Sequence, residues 1–196
     1  MIAADATITL SVMFAAYLLG SIPTAILVCH FMGIGDPRQQ GSGNPGATNV
    51  LRVGSRSAAL LTLTGDLSKG MLAVSISQWL GLDLFNQALV GISALIGHVW
   101  SIFLRFGGGK GVATMLGSCL ILDYRLGLAQ CAIWLSLLVI QRISSLAAVG
   151  MAVISPIICW QLTPQILLPM IMMCCLLLAT HHQNIRKLLN GRESQL

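Results

Sequence analysis

The chain has 196 residues, of which 56% are hydrophobic and only 9% charged. A soluble domain carries about 25% charged residues, so this composition excludes an ordinary water-facing surface and implies that most of it faces lipid. The net charge of +5 has the sign that nucleic acid attracts, but it is distributed along the chain as membrane topology requires, and no nucleic-acid partner is expected.

The length fits one transmembrane domain over residues 1–196. Residues 1–9 carry no basic leader segment, so no cleaved signal is expected. Residues 7–32 are the first apolar run and are long enough to cross a bilayer. Gly20, Ser21 and Pro23 interrupt it, and such breakers survive where neighbouring helices satisfy the freed backbone. A polar loop follows over 33–56. Its first part, Asp36-Pro37-Arg38-Gln39-Gln40, reads as an ordinary exposed turn.

The stretch 41–52 reads Gly-Ser-Gly-Asn-Pro-Gly-Ala-Thr-Asn-Val-Leu-Arg. Its three glycines and Pro45 argue against a regular helix and for a backbone whose N–H groups turn toward a ligand. Ser42, Asn44, Thr48 and Asn49 add short polar side chains, and Arg52 adds a fork suited to phosphate. The stretch is read as an anion cradle.

Residues 57–80 form a second span with Asp66 and Lys69 inside it, one helical turn apart and able to pair. Charges in a span face a partner or a cavity. The third span, 84–104, contains His98, either a helix-to-helix hydrogen-bonding group or a site residue. Next comes Arg105-Phe106-Gly107-Gly108-Gly109-Lys110-Gly111, a second glycine-rich cradle around a lysine. Gly111 after Lys110 rules out a nucleotide P-loop.

Residues 112–122 are apolar but short. They predict a short or re-entrant helix packed inside protein, its N-terminal dipole adding positive potential beside Lys110. Asp123-Tyr124-Arg125 is a polar break. Two further spans cover 126–140 and 146–162, and the last covers 166–179. The chain ends in a polar tail over 180–189 with helical spacing. The six cysteines lie scattered in apolar runs, as buried thiols do, with no zinc or disulfide spacing.

Counting the short segment as a crossing gives an all-α protein of seven transmembrane helices. Arg38, Arg52, Arg56, Arg105, Lys110, Arg142, Arg186, Lys187 and Arg192 then fall on one side. The other side receives only Arg125, with Asp5, Asp83 and Asp123. Cationic loops mark the cytoplasmic face, which puts the N-terminus outside and the C-terminus inside. The Ser42 loop, the Lys110 loop and the His181 tail then share one face.

Three segments together resemble a known family. Residues 42–52, the stretch Gly-Gly-Lys-Gly-Val-Ala-Thr at 108–114, and His-His-Gln-Asn-Ile-Arg-Lys-Leu at 181–188 are similar to the three motifs of the bacterial membrane acyl-phosphate:glycerol-3-phosphate acyltransferases (PlsY). Asp66-Leu-Ser-Lys-Gly70 and Gly97-His-Val-Trp100 also resemble family patterns. The resemblance implies a multi-pass inner-membrane enzyme with its active site facing the cytoplasm. It would move a fatty acyl group from acyl phosphate to the 1-position of sn-glycerol 3-phosphate, giving lysophosphatidic acid and phosphate, the first acylation of phospholipid synthesis. Acyl-CoA and acyl carrier protein would not be direct donors.

By motif position the resemblance implies Ser42, Arg52, Lys110, His181 and Asn184 as catalytic residues. Gly43, Asn44, Gly46, Thr48, Asn49, Gly109 and Gly111 would contact substrate. Asp66, Lys69 and His98 either join them or brace helices. Thr180, His182 and Gln183 stand where many members have Arg, Arg and Glu, which removes a carboxylate and two cations from the last motif.

The chemistry agrees with these positions. Two phosphate-bearing substrates need separate cations, which Arg52 and Lys110 supply, with Arg56 and Arg105 in reserve. Acyl phosphate is already activated, so no covalent nucleophile is needed, and Ser42 lacks the nucleophile-elbow context. His181 and Asn184, three apart, share a helix face and are placed to orient the attacking hydroxyl or the carbonyl. Either His181 or the donor phosphate takes the proton. The cytoplasmic loops and tail hold only Asp36 and Glu193 as acids, so no metal and no cofactor are expected. A transporter for a phosphorylated metabolite is the main rival, but no inverted repeat is evident. A metal-dependent phosphotransferase is the other, but its clustered acids are missing.

Overall fold

The computed structural model describes residues 2–196, with side chains from residue 6 onward. The N-terminal reading of 1–9 and the Asp5 charge fall partly outside those residues. Among the described residues the regular structure is entirely helical.

Helix α1 (Ile2–Ser21) stops at Ile22–Pro23 and α2 (Thr24–Phe31) continues the crossing. Proline lacks the N–H that would extend the ladder. The break is held from outside, because Ser101 Oγ donates to the Ser21 carbonyl at 2.5 Å. After the loop come α3 (Ala47–Val53), α4 (Arg56–Trp79) and α5 (Leu84–Val99). Then follow α6 (Val112–Leu122), α7 (Tyr124–Gln141), α8 (Ser144–Leu162), α9 (Leu167–Thr180) and α10 (His182–Leu189).

Among the described residues five stretches are long and apolar enough to cross a membrane, and α9 with α10, bent by 63° at His181, makes a sixth if taken as one span. The predicted short segment is helix α6, only 11 residues long. It is wedged among α4, α5 and α7, and seven of its residues are buried.

Glycines permit the closest approaches. A Cβ on Gly117 of α6 would collide with the Leu67 carbonyl of α4, and one on Gly70 of α4 with the Thr114 carbonyl of α6. Gly20 of α1 and Gly97 of α5 meet the opposing backbones in the same way. Small residues let membrane helices make dispersion contacts that lipid cannot replace. Gly117→Leu is therefore expected to part α4 from α6 and lower the detergent melting temperature sharply, with Gly117→Ala intermediate.

The main core joins α5, α6, α8 and α9 through Leu95, Met115, Met151, Met173 and Leu177. Outward-facing Phe14, Trp79, Val139 and Trp160 are largely exposed, an arrangement suited to lipid and costly in water. All six cysteines are free. Four are buried as expected, Cys131 is half-buried, and Cys175 faces outward.

Candidate active site

The first polar loop departs from the expectation of free amides. Glycine lets it fold back on itself, with Gly41 at φ +59° and Gly43 at φ +72°. Its N–H groups are then largely consumed internally. Ser42 N donates to Asn49 Oδ1 at 2.8 Å, Gly43 N to the Gln40 carbonyl and Gly46 N to the Asn44 carbonyl. Asn49 Nδ2 donates to the Pro37 and Gln40 carbonyls at 2.7 and 3.0 Å. Asn49 thus staples the loop; of the turn before it, Arg38, Gln39 and Gln40 are exposed as expected and Pro37 is buried.

The expected absence of helix over 41–52 is also corrected. The breakers end at Gly46, and α3 runs from Ala47, carrying Arg52 in its last turn. The loop offers a ligand side chains and the start of a helix rather than an amide nest.

The second loop is corrected in the same sense. Gly108 N donates to the Val99 carbonyl and Gly109 N to the His98 carbonyl, at 2.9 and 3.0 Å. The loop therefore satisfies carbonyls at the end of α5 that lack helical partners. A Cβ on Gly109 would strike the His98 ring, so glycine is needed here for packing. Arg105 and Phe106 adopt left-handed φ of 53° and 64°, which turns the chain so that Lys110 enters the interior. Gly111, at φ +88°, starts α6 without a side-chain cap.

The third segment is the α9–α10 break. His181 is 3% exposed, and its Nδ1 lies 2.8 Å from the Leu177 carbonyl. A carbonyl only accepts, so Nδ1 carries the proton and Nε2 keeps its lone pair. Thr180 Oγ1 shares its proton between the Leu177 carbonyl at 2.7 Å and the Lys110 carbonyl at 3.1 Å, joining the second and third segments. Lys110 Nζ donates to Asn184 Oδ1 at 2.6 Å.

These segments surround one cavity of about 530 Å³, within the range of ligand sites. Ser42, Arg52, Lys110, His181 and Asn184 all line it, as do Asn44, Gly46, Thr48, Asn49, Gly111, Asp66 and His98. Gly43, Gly109 and Lys69 do not; Gly109 and Lys69 flank a much smaller space beside it. Of the reserve cations, Arg56 lines the wall and Arg105 is absent from it.

The wall carries Arg52, Arg56, Lys110, Lys187 and Arg192 against two carboxylates, Asp66 and Glu193. Asp66 is already paired with Lys69 at 2.7 Å. The potential is therefore positive. It is reinforced where α3, α6 and α8 begin at the cavity without side-chain caps, since uncapped N-termini present donors and a positive dipole end. The opposite wall is apolar, built from Leu60, Leu63, Leu116, Trp134 and Leu138. Leu60 on that wall is exposed.

Burial pulls the Lys110 pKa down, Glu193 raises it, and Lys187 and Arg52 lower it further. Burial also lowers His181 from 6.5 to about 4, with Lys110 adding to the effect. His181 is therefore a neutral acceptor at neutral pH. Its proton binds more readily in the unfolded chain, so its contribution to stability is complete above pH 6.5. That contribution diminishes as pH falls through the window and is gone below about 4. Melting temperatures in detergent between pH 4 and 7 should show this slope, and His181→Gln should reduce it.

Asp66, Lys69 and His98 form a buried trio, with His98 Nδ1 3.5 Å from Asp66 Oδ1. It sits behind the Lys110 loop and reaches the cavity only through Asp66 and His98. Sequence reasoning missed Glu193 and Ser145. Glu193 Oε1 accepts from Asn184 Nδ2 at 2.6 Å and from Ser145 Oγ at 2.8 Å. It restores a carboxylate to a segment whose own motif has Gln183. Thr48 and Ser144 are likewise joined at 3.0 Å across the cavity mouth. No local pattern marks these partners, because they are 9, 48 and 96 positions apart.

The comparisons with known proteins bear on this arrangement. The glycerol-3-phosphate acyltransferase family model matches residues 10–191. A glycerol-3-phosphate acyltransferase of Shewanella sediminis is 44% identical over 190 residues, covering 97% of this chain and 95% of the relative. One from Vibrio campbellii is 46% identical over 182 residues, covering 93% and 90%. The crystal structure of PlsY (YgiH), an integral membrane glycerol 3-phosphate acyltransferase, in its glycerol 3-phosphate form superposes with a TM-score of 0.90 at 31% identity. That match covers 96% of this chain and 95% of the other. The lysophosphatidic acid form gives 0.88 at 30% identity, with the same coverage. A multi-pass helical bundle, a cavity with a cationic and an apolar wall, and a match along nearly the whole chain lead to one assignment: this chain belongs to the glycerol-3-phosphate acyltransferase family.

Proposed function

We propose that the chain transfers a fatty acyl group from acyl phosphate to the 1-hydroxyl of sn-glycerol 3-phosphate, releasing 1-acyl-sn-glycerol 3-phosphate and inorganic phosphate. The observation that carries this reading is the joining of a five-cation wall and an apolar wall in one cavity. One wall suits two phosphates and the other an acyl chain. Relatives of this family include a protein solved with glycerol 3-phosphate and again with lysophosphatidic acid.

In the proposed reaction Arg52 and Lys110 hold the phosphates, with Ser42, Asn44 and Thr48 as hydrogen-bonding partners. Gly46 and Gly111 let the backbone approach at the starts of α3 and α6. The 1-hydroxyl oxygen attacks the acyl carbonyl carbon, the carbon–oxygen bond to phosphate breaks, and phosphate departs. Charge that develops on the carbonyl and leaving oxygens is met by the cations and the helix N-termini. His181 Nε2 accepts the hydroxyl hydrogen bond and orients the attack. With a pKa of about 4, His181 is a weak base at neutral pH, whereas a phosphate ester's second pKa lies near 6. The proton ends on the departing phosphate, directly or by way of His181 Nε2. Asn49 supports the loop, and the Asp66–Lys69–His98 trio braces the Lys110 segment.

The topology proposed with this reading has seven crossings of the inner membrane, α6 being the short fourth. The N-terminus is outside and the cavity faces the cytoplasm. The grouping of five cations at one end of the bundle supports it.

The test supplies purified protein in lipid with palmitoyl phosphate and glycerol 3-phosphate and measures phosphate release and acylated product. Stoichiometric formation of both is expected, and chelator should leave the rate unchanged. Acylated product formed only with palmitoyl-CoA as donor, with CoA and not phosphate released, would overturn the donor assignment.

A further inference from the structure

The turn between α5 and Lys110 holds a part of the second loop that the cavity leaves aside. Ser101 organises it. Its Oγ donates to the Ser21 carbonyl at 2.5 Å, and its own carbonyl accepts from Leu104 N at 3.1 Å and Phe106 N at 2.8 Å. Tyr17 Oη donates to the Trp100 carbonyl at 3.0 Å, and Gly107 N to the Leu104 carbonyl at 3.1 Å. The backbone is thus fixed from within while side chains face outward. Phe103 and Phe106 are each 60% exposed, with Trp100 and Ile102 exposed beside them. Arg105 stands among them, also exposed. Among the described residues its guanidinium has no hydrogen bond or ion pair, and it is absent from the cavity wall.

The backbone of this turn is the first clue to a use. Arg105 and Phe106 lie in the left-handed region, where a Cβ crowds the chain and glycine sits freely. Three glycines follow directly, and none of them takes a positive φ. The strained positions therefore carry an arginine and a phenylalanine, while residues that would tolerate the strain stand next to them. An outlier of this kind points to side chains that are used. The second clue is the pairing of chemistries. A guanidinium forks onto phosphate oxygens, and aromatic rings settle at the level of lipid headgroups. An unpaired cation ringed by apolar side chains matches a molecule with an anionic head and a fatty body, whereas free phosphate would engage the arginine alone. The membrane-crossing stretch Leu84–Leu104 ends inside this turn, which sets it at the bilayer surface. Insertion rules ask for cations on one side of the membrane, but not for one in a left-handed turn among aromatic rings.

We infer that Arg105, with Phe103 and Phe106, is a headgroup site for an anionic diacyl phospholipid of the surrounding bilayer, outside the reaction cavity. The guanidinium takes the lipid phosphate, and the rings lie against the glycerol and the first methylenes. Gly108 and Gly109 are bonded to the Val99 and His98 carbonyls, so the lipid is held beside the Lys110 segment without entering it. The site does not depend on the proposed acyl transfer.

The experiment follows binding of phosphatidylglycerol and phosphatidylcholine to the purified full chain in detergent by native mass spectrometry, with a melt of each variant. Wild type should bind phosphatidylglycerol in preference at its tightest site. Arg105→Gln should weaken that site about fivefold, the scale of one cation at an anionic lipid surface, and leave phosphatidylcholine binding unchanged. Arg105→Gly should weaken it equally yet melt no lower without added lipid, because glycine takes the left-handed turn freely. Phe103→Ser combined with Phe106→Ser should weaken it with the arginine in place. Arg38→Gln removes another exposed cation, one already paired with Asp36, and should leave the site intact.

Unchanged phosphatidylglycerol binding in Arg105→Gln would overturn the inference. Equal weakening by Arg105→Gln and Arg38→Gln would also overturn it, since net charge alone would then account for binding. Phosphatidylcholine bound by wild type as tightly as phosphatidylglycerol would do the same. Release of the bound lipid by glycerol 3-phosphate would move the site into the cavity and equally end the proposal.

Discussion

Lys110→Ala should lower turnover roughly a thousandfold, the upper range for deleting one preorganised charge-stabilising donor, while the protein remains folded. The Lys110 ammonium is bonded to Asn184, and its backbone is tied separately by Thr180. Removing the side chain therefore deletes the cation without untying the loop. Burial already disfavours its charge, so truncation relieves a desolvation cost and no loss of stability is expected. Lys110→Arg should rescue poorly, because a planar fork cannot replace a compact ammonium in this position. Phosphate release from palmitoyl phosphate, with a melt of each variant, checks the prediction. Near-normal turnover of Lys110→Ala would remove this loop from the chemistry.

Asp66→Ala should destabilise the protein by about 3–5 kcal/mol, the cost of breaking a buried ion pair by removing one partner. Lys69 would keep its charge among apolar residues of α4, with both side chains about 95% buried in the native pair. The double variant Asp66→Leu with Lys69→Met removes both charges and should recover most of the loss. Thr114 bonds the Asp66 backbone carbonyl at 3.0 Å, a tie between α4 and α6 that survives both substitutions. Because Lys69 stands off the cavity wall, the trio is read as a brace, and the double variant should retain turnover per folded molecule. Folded yield in detergent and rate per folded molecule separate the two roles. A well-folded, inactive double variant would place Asp66 among the substrate contacts.

The long helices were legible because lipid demands continuous apolar runs. The predicted spans 126–140, 146–162 and 166–179 match α7, α8 and α9 to within about two residues at each end. The short helix α6 was legible from its length alone. The sharing of one cavity by Ser42, Lys110 and His181 followed from sorting cationic loops by side, a rule that operates across the whole chain.

What escaped the sequence was set by partners far away along it. Glycine-rich loops looked like open amides, but the Gly108 and Gly109 N–H groups belong to the carbonyls of Val99 and His98. Helix α3 was hidden because breakers at 41–46 masked six helix-compatible residues after them. Glu193 was legible only as one of two acids in the loops and tail; the turn at Gly191 carries it to Asn184.

Helix α6 gives the bilayer itself a part in the proposed kinetics. Its 11 residues rise about 16 Å, roughly half of a 30 Å hydrocarbon layer. On the proposed topology this would hold the cavity at a set depth, with a fatty tail immersed while its activated end meets a solute arriving from the aqueous side. No lipid has to be lifted out. Vesicles made from longer or shorter acyl chains would shift that depth relative to the surface, so membrane thickness becomes a rate-controlling variable for this enzyme.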